Sequence, residues 1–305
     1  MIDKIRWKTR FPHSLPYRLF IKHFTELNRI YWAYTPAVTT IEKLSKDFSE
    51  KDGVTPIDFF YIDTADERRL APTFQEWKSD YREFQNYTRV SLIISLCSCL
   101  EVYLRGILSL ALESKPGVVF GDKDAFDGAR LLKYKNETMK YNNTTYPFYK
   151  YIEKIVVGEW TNRCNAYKEI FSDIPETIIN NLGELEKLRN LRNNMAHYFG
   201  RDKKVYENPI LFDKEPIIRI SHKSILKYFK LIKDVVDSID NHLYKDYVGS
   251  YDILKCYMLH YKDIENKKMK VGEKAKWLQK LVGHGGLKIV GTEYYKNLMK
   301  YFESL

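Results

Sequence analysis

Residues 189–200 read RNLRNNMAHYFG and bring Arg192, Asn193 and His197 close together in the chain. A planar guanidinium grips a phosphate through paired N–H donors and stabilises extra negative charge on it. An imidazole, whose ordinary pKa lies near neutrality, takes or gives a proton. These side chains could serve RNA cleavage without a metal, in which a ribose 2′-hydroxyl attacks the adjacent phosphorus. Arg192 then holds the phosphate and His197 transfers a proton or positions the phosphate. Asn193, four residues before His197, lies on its face of a helix and orients it. The pattern does not say which group is base and which is acid.

Spacing alone does not single this group out. With fifteen arginines and seven histidines in 305 residues, Arg followed by His after four to six residues arises about once by chance. The chain carries two other matches, Arg6 with His13 and Arg18 with His23. Context separates the third. Arg192 falls on the apparent apolar line Leu185, Leu188, Arg192, Met195, Phe199, where a guanidinium needs an acceptor. Arg192 and His197 diverge by about 140° around the helix, so they meet on one ligand only near a helix end or beside a partner surface. Gly200 supplies that end. The competing reading is that both side chains merely complement the helix C-terminal dipole.

The elements that must position the group are helical. Apolar periodicity predicts a helix after Pro16, one long helix or two nearly continuous ones from about Thr73 to Leu112, and helices over 148–171, from Glu176 to Gly200, and from Ser224. The segment IDFFYI (57–62) has the composition of a short strand, and 208–220 that of a hairpin. Residues 114–147 look irregular, the kind of long connection that often carries function. The long helix is apolar nearly all round except for a stripe of Ser91, Ser95, Ser98, Glu101 or Val102, Arg105 and Ser109. Glu101 and Arg105 are spaced for an ion pair. A satisfied polar seam between helices explains the same stripe.

Composition excludes several classes. The four cysteines form no C-x-x-C pair and have no histidine at ligand spacing, so neither a zinc site nor a disulfide framework is indicated. No cofactor and no metal are expected. The first twenty residues lack the apolar run of a secretory signal. The most apolar window has Glu101 and Arg105 at its middle, against a lipid-facing span. A cytoplasmic protein with no membrane partner is the expectation. The formal charge of +10 is compatible with a polyanionic partner.

The helix carrying SLCSCLEVYLRGIL, then LRNLRNNMAHYFG, a loop and SILKYFKLIKDVVDSIDNHL resemble a HEPN domain (higher eukaryotes and prokaryotes nucleotide-binding) over about 75–245. The resemblance implies an all-α HEPN-like helical bundle, with residues 1–74 as an N-terminal helical extension and 246–305 as a small basic C-terminal unit. It implies a homodimer that brings two Arg192/His197 pairs into one cleft, with Asn193 beside them and Glu101 as the supporting acid of the first helix. The implied activity is a metal-independent endoribonuclease, typically a toxin or anti-phage effector, with an antitoxin or sensor protein as further partner. The alternative is a non-catalytic HEPN-like module binding RNA, a nucleotide or a protein. The subclass silenced at a Tyr two residues after the His is not matched, because Phe199 stands there.

Three further features are candidate RNA contacts. Lys223, Lys227 and Lys230, with Lys233, recur at helical spacing and could track phosphates, although such a stripe is more often a solvated face. Lys267, Lys268, Lys270, Lys274 and Lys276 surround Trp277, a stacking candidate. The Tyr-rich run 133–151 could stack on single-stranded RNA or pack on a dimer partner. VGHGGLKIVG (282–291) lacks the phosphate-loop spacing and reads as a turn.

Overall fold

The computed structural model describes residues 2–48, 53–60, 67–138, 148–201, 217–261, 264, 267–283 and 290–305. Every regular element among them is helical: α1 (Leu15–Phe48), α2 (Pro56–Phe60), α3 (Phe74–Ser114), α4 (Gly128–Thr138), α5 (Tyr149–Val156), α6 (Trp160–Phe171), α7 (Glu176–Asn180), α8 (Leu182–Tyr198), α9 (His222–Leu243), α10 (Tyr251–Leu259), α11 (Val271–Gly283) and α12 (Thr292–Ser304). The chain divides into two compact units, one of residues 1–22, 99–186 and 231–305, the other of 23–98 and 187–230.

The core of the first unit is built by two helical stripes. Leu100, Tyr103, Leu104, Ile107, Leu108 and Ala111 of α3 are buried, as are Ile232, Val235, Val236, Ile239 and Leu243 of α9. Both sets recur at three- and four-residue steps, so one face of each helix leaves water. The start of α1 draws its caps from distant carboxylates. The Leu15 N–H donates to Asp252 at 2.9 Å, and the Ser14 hydroxyl, which itself accepts from the Tyr17 N–H at 3.2 Å, donates to Asp240. Orphan N–H groups of a first turn are thereby satisfied inside the core. Burial pushes the Asp252 carboxyl up to about 6. At Gly106 an added Cβ would lie 3.2 Å from the Pro16 side chain, so the missing side chain lets α3 and the head of α1 approach closely.

The second unit fixes the segment that follows α8. Asn86 of α3 donates to the Ile218 carbonyl (3.0 Å) and accepts from the Ile220 N–H (2.9 Å), while Arg89 donates to the Ile220 carbonyl (3.2 Å). The Ile218 N–H in turn donates to the Gly200 carbonyl at 2.7 Å. Tyr31 of α1 stacks on both His222 and Phe229 of α9.

Two sequence expectations change. Residues 57–60 of the expected strand lie in helix α2; residues 61–62 are outside the described residues. Thr55 and Asp58 form a reciprocal capping box, with the Thr55 N–H on Asp58 Oδ2 (3.0 Å) and the Asp58 N–H on Thr55 Oγ1 (3.3 Å). That box favours a helical turn, and the aromatic rings pack on it: Phe59 lies 5.1 Å from Phe74 and Phe60 4.9 Å from Trp77. Part of the supposedly irregular 114–147 is also regular, because α4 spans Gly128–Thr138 and a 3-10 turn spans Pro116–Phe120. Asp127 caps α4 by accepting from the Ala129 N–H at 2.8 Å. The expected hairpin falls mostly on residues outside the described set, and 217–220 carry no regular structure.

Candidate functional site

Helix α8 carries the Arg–Asn–His group in its last turns. Its buried line is Leu185, Leu188, Leu191 and Met195, not the line through Arg192. Arg192 sits one residue off that line and is half-buried, and Phe199 is 68% exposed. The reason lies at the C-terminus. Phe199 and Gly200 take φ of 51° and 72°, so the helix ends before Phe199 can extend the stripe. The desolvation argument for Arg192 therefore weakens, since the residue is only half-buried.

What the structure brings together is the guanidinium and the amide. Arg192 Nη1 donates to Asn193 Oδ1 at 3.1 Å, so Asn193 orients the arginine, where the sequence suggested the histidine. The His197 side chain is exposed, and among the described residues it makes an edge contact with the Tyr198 ring and no hydrogen bond. A cation and a free imidazole on one helix end could bind a phosphate and move a proton beside it.

The end of the helix is held by residues that periodicity does not reveal. Asn194 Nδ2 donates to the Arg201 carbonyl at 2.7 Å, and the Gly200 N–H donates to the Asn194 carbonyl at 3.3 Å. A paired Asn-Asn before a terminal Gly is the visible signal for such a cap. A Cβ added at Gly200 would fall 2.3 Å from Met195 Sδ and 2.9 Å from Ile217 Cγ2, so those side chains would have to shift. Gly200→Ala combines this overlap with a left-handed backbone, and is expected to destabilise the fold by about 1–3 kcal/mol. Denaturant unfolding checks this, and a change within about 0.5 kcal/mol would refute it.

The other two Arg–His matches have structural occupations. Arg6 is buried and bound to Asp127, Ser114 and Val248. Arg18 donates to the Val282 carbonyl and lies 4.0 Å over the Phe11 ring, and His13 Nδ1 bonds Asp240.

The stripe on α3 is mixed. Ser95 and Ser98 hydroxyls donate back to the Ser91 and Ile94 carbonyls, and Ser109 donates to Glu113. Arg105 pairs in bidentate fashion with Glu153 of α5, a partner the sequence spacing did not reveal. The Glu153 carboxylate keeps Arg105 firmly protonated, and Glu101 adds a smaller favourable field. Glu101 itself is half-buried, while Ser98 and Val102 stand exposed. By length and composition α3 is apolar enough to cross a membrane, with mean hydropathy 1.7 over its best window and half of that window buried.

Lys223, Lys227 and Lys230 are exposed on α9, on the side away from buried Ile225, Phe229 and Ile232. Lys233 pairs with Asp237 at 2.6 Å. Of the second lysine cluster, Lys274 and Trp277 are half-buried on α11, with Trp277 edge-on to His260. The core of VGHGGLKIVG, 284–289, and residues 139–147 of the Tyr-rich run lie outside the described residues.

Comparison with protein families decides the lineage. The model of the RiboL-PSP-HEPN family matches residues 73–245, more than half of the chain. The chain belongs to the RiboL-PSP-HEPN family. The HEPN match opens at Thr73, which caps α3 through a reciprocal box with Glu76, and closes just beyond α9. It contains Glu101, Arg192, Asn193, His197 and the three exposed lysines of α9. No curated protein and no solved structure matches the chain.

Proposed function

We propose that this HEPN protein is a metal-independent endoribonuclease. The observation that carries the reading is the end of α8, where a half-buried guanidinium oriented by Asn193 accompanies an exposed imidazole with no hydrogen bond among the described residues. In the reaction, the ribose 2′-oxygen bonds to phosphorus as the bond from phosphorus to the 5′-oxygen breaks. A proton leaves the 2′-hydroxyl and another reaches the departing 5′-oxygen. The products are a 2′,3′-cyclic phosphate and a 5′-hydroxyl. His197 serves proton transfer or phosphate positioning, and Arg192 neutralises the phosphate. Glu101 has a supporting role.

Because Arg192 and His197 diverge around one helix, a single copy presents them poorly to one phosphate. A homodimer supplies the second pair, and the exposed Ser98 and Val102 of α3 offer an apolar-edged partner surface. Lys223, Lys227 and Lys230 carry the RNA backbone. A cytoplasmic toxin or anti-phage role, restrained by an antitoxin or sensor protein, follows from the family alone.

The test is incubation of the purified protein with mixed RNA in EDTA, beside Arg192→Ala. EDTA-resistant cleavage yielding cyclic phosphate ends, reduced at least tenfold by Arg192→Ala, is the expected result. Cleavage that requires added metal or leaves 3′-hydroxyl ends overturns the mechanism. RNA retention without cleavage would instead favour a HEPN binding module.

A further inference from the structure

The first unit contains a cavity of about 440 Å³ that uses none of the residues assigned to RNA cleavage. Its walls come from the 3-10 turn Ile2–Trp7, the connection between α3 and α4, Arg130 in the first turn of α4, and Leu305. The lining contains Arg6, Lys115, Lys123 and Arg130 against Asp124 and Asp127, so cationic side chains exceed acidic ones by two. Asp127 is already committed to Arg6 at 3.0 Å. Lys115, with only 11% of its side chain exposed, lies 4.5 Å from the Trp7 ring and is countered by Asp124, which is 71% exposed. Lys123 and Arg130 are exposed and form no ion pair among the described residues.

The cavity is pre-formed. Arg6, Asp127, Tyr301 and Ser114 are joined by hydrogen bonds of 2.7–3.1 Å, which lock its floor. Gly117 and Gly128 pack against the Asp122 and Glu113 carbonyls so closely that no Cβ fits, which fixes the connecting loop. Phe126 lines the wall while 55% exposed. A ring left half in water beside unpaired cations is poor packing and a good stacking platform. The volume suits a ligand of mononucleotide size.

We infer that this cavity binds a 5′-phosphorylated nucleotide, with the base against Phe126 and the phosphates on Lys123, Arg130 and Lys115. The phosphate takes the place of Asp124 as counter-ion to Lys115, since a solvent-exposed carboxylate is weakly held. A nucleotide meets both demands of the site, an aromatic face and a multivalent anion. The same chemistry is offered by a free nucleotide or by the 5′-end of an RNA.

Calorimetric titration of the full chain without divalent cations tests this, using ATP, adenosine, inorganic triphosphate and a 5′-triphosphorylated RNA trinucleotide. Saturable ATP binding is expected, at least tenfold tighter than either adenosine or triphosphate. The charge reversal Lys123→Glu/Arg130→Glu should weaken it at least tenfold, and Phe126→Ala should remove the preference for ATP over triphosphate. All three positions are exposed, so Tm should hold, and a control melt checks it. ATP exceeding the trinucleotide makes the free nucleotide the ligand; the reverse order makes it an RNA end. Absent binding, triphosphate equalling ATP, or affinity unmoved by charge reversal overturns the inference. RNA cleavage is not the readout, so failure here leaves the ribonuclease reading intact, and the converse holds.

Discussion

Replacing His197 with alanine is expected to lower EDTA-resistant RNA cleavage by about 10²–10⁴-fold, the range lost with a positioned proton-transfer group. The side chain is exposed and among the described residues makes only a ring contact with Tyr198, so its removal should leave stability within about 0.5 kcal/mol. That separation matters, because it makes the activity loss chemical rather than structural. His197→Gln sharpens the test. Glutamine restores a polar group capable of hydrogen bonding but cannot shuttle a proton near neutral pH, so a proton-transfer role predicts no rescue. Substantial rescue by glutamine would reassign His197 to phosphate positioning. Product ends from both variants, with Tm alongside, complete the measurement. Cleavage at wild-type rate in His197→Ala would remove the histidine from the mechanism.

The sequence exposed the long periodic helices well and their ends and flanks less well. α3 and α9 are legible because their buried residues repeat over many turns, and no tertiary contact has to override that pattern. α4 is not, since its sequence GARLLKYKNET is polar on most sides. A local cap and a distant contact hold it: the preceding Asp127 caps its start, and Lys133 donates to the Glu303 carbonyl at 2.8 Å. Residues 57–60 carried a strand composition, but the Thr55–Asp58 box decided the backbone first. The box was readable as T-x-x-D, a signal that aromatic composition obscured. At the site, residue types were legible and orientation was not. A one-residue error in the helical phase placed Arg192 on the buried line that Leu191 occupies. Asn193 could turn towards either neighbour, and in the fold it meets the arginine. The nucleotide cavity was invisible because its walls come from residues more than a hundred positions apart.

Arg6→Ala is expected to cause the largest loss of stability among these substitutions. Arg6 fell within the same four-to-six-residue Arg–His range as Arg192, yet it is fully buried and sits at the centre of a network. Its Nε and Nη2 engage Asp127 at 3.1 and 3.0 Å, Nη1 donates to Ser114 Oγ at 2.9 Å, and Nη2 reaches the Ser114 carbonyl at 3.1 Å. Burial depresses the pKa of the guanidinium, while Asp127 counteracts the shift. Removing one partner of a buried pair costs about 3–5 kcal/mol, because the remaining charge and acceptors lose compensation. Asp127 retains 28% exposure, so water relieves part of that penalty and the lower end, about 3 kcal/mol, is expected. Arg6→Lys keeps the charge but not the fork, and should still lose part of the stability. Lys123→Ala at the rim of the same cavity should stay within about 0.5 kcal/mol. Denaturant midpoints for the three variants at constant m-value check this order. An Arg6→Ala loss below about 1 kcal/mol would mean that hydrogen-bonded burial at this position is nearly neutral, and that the cavity floor is less rigidly built than its bonds imply.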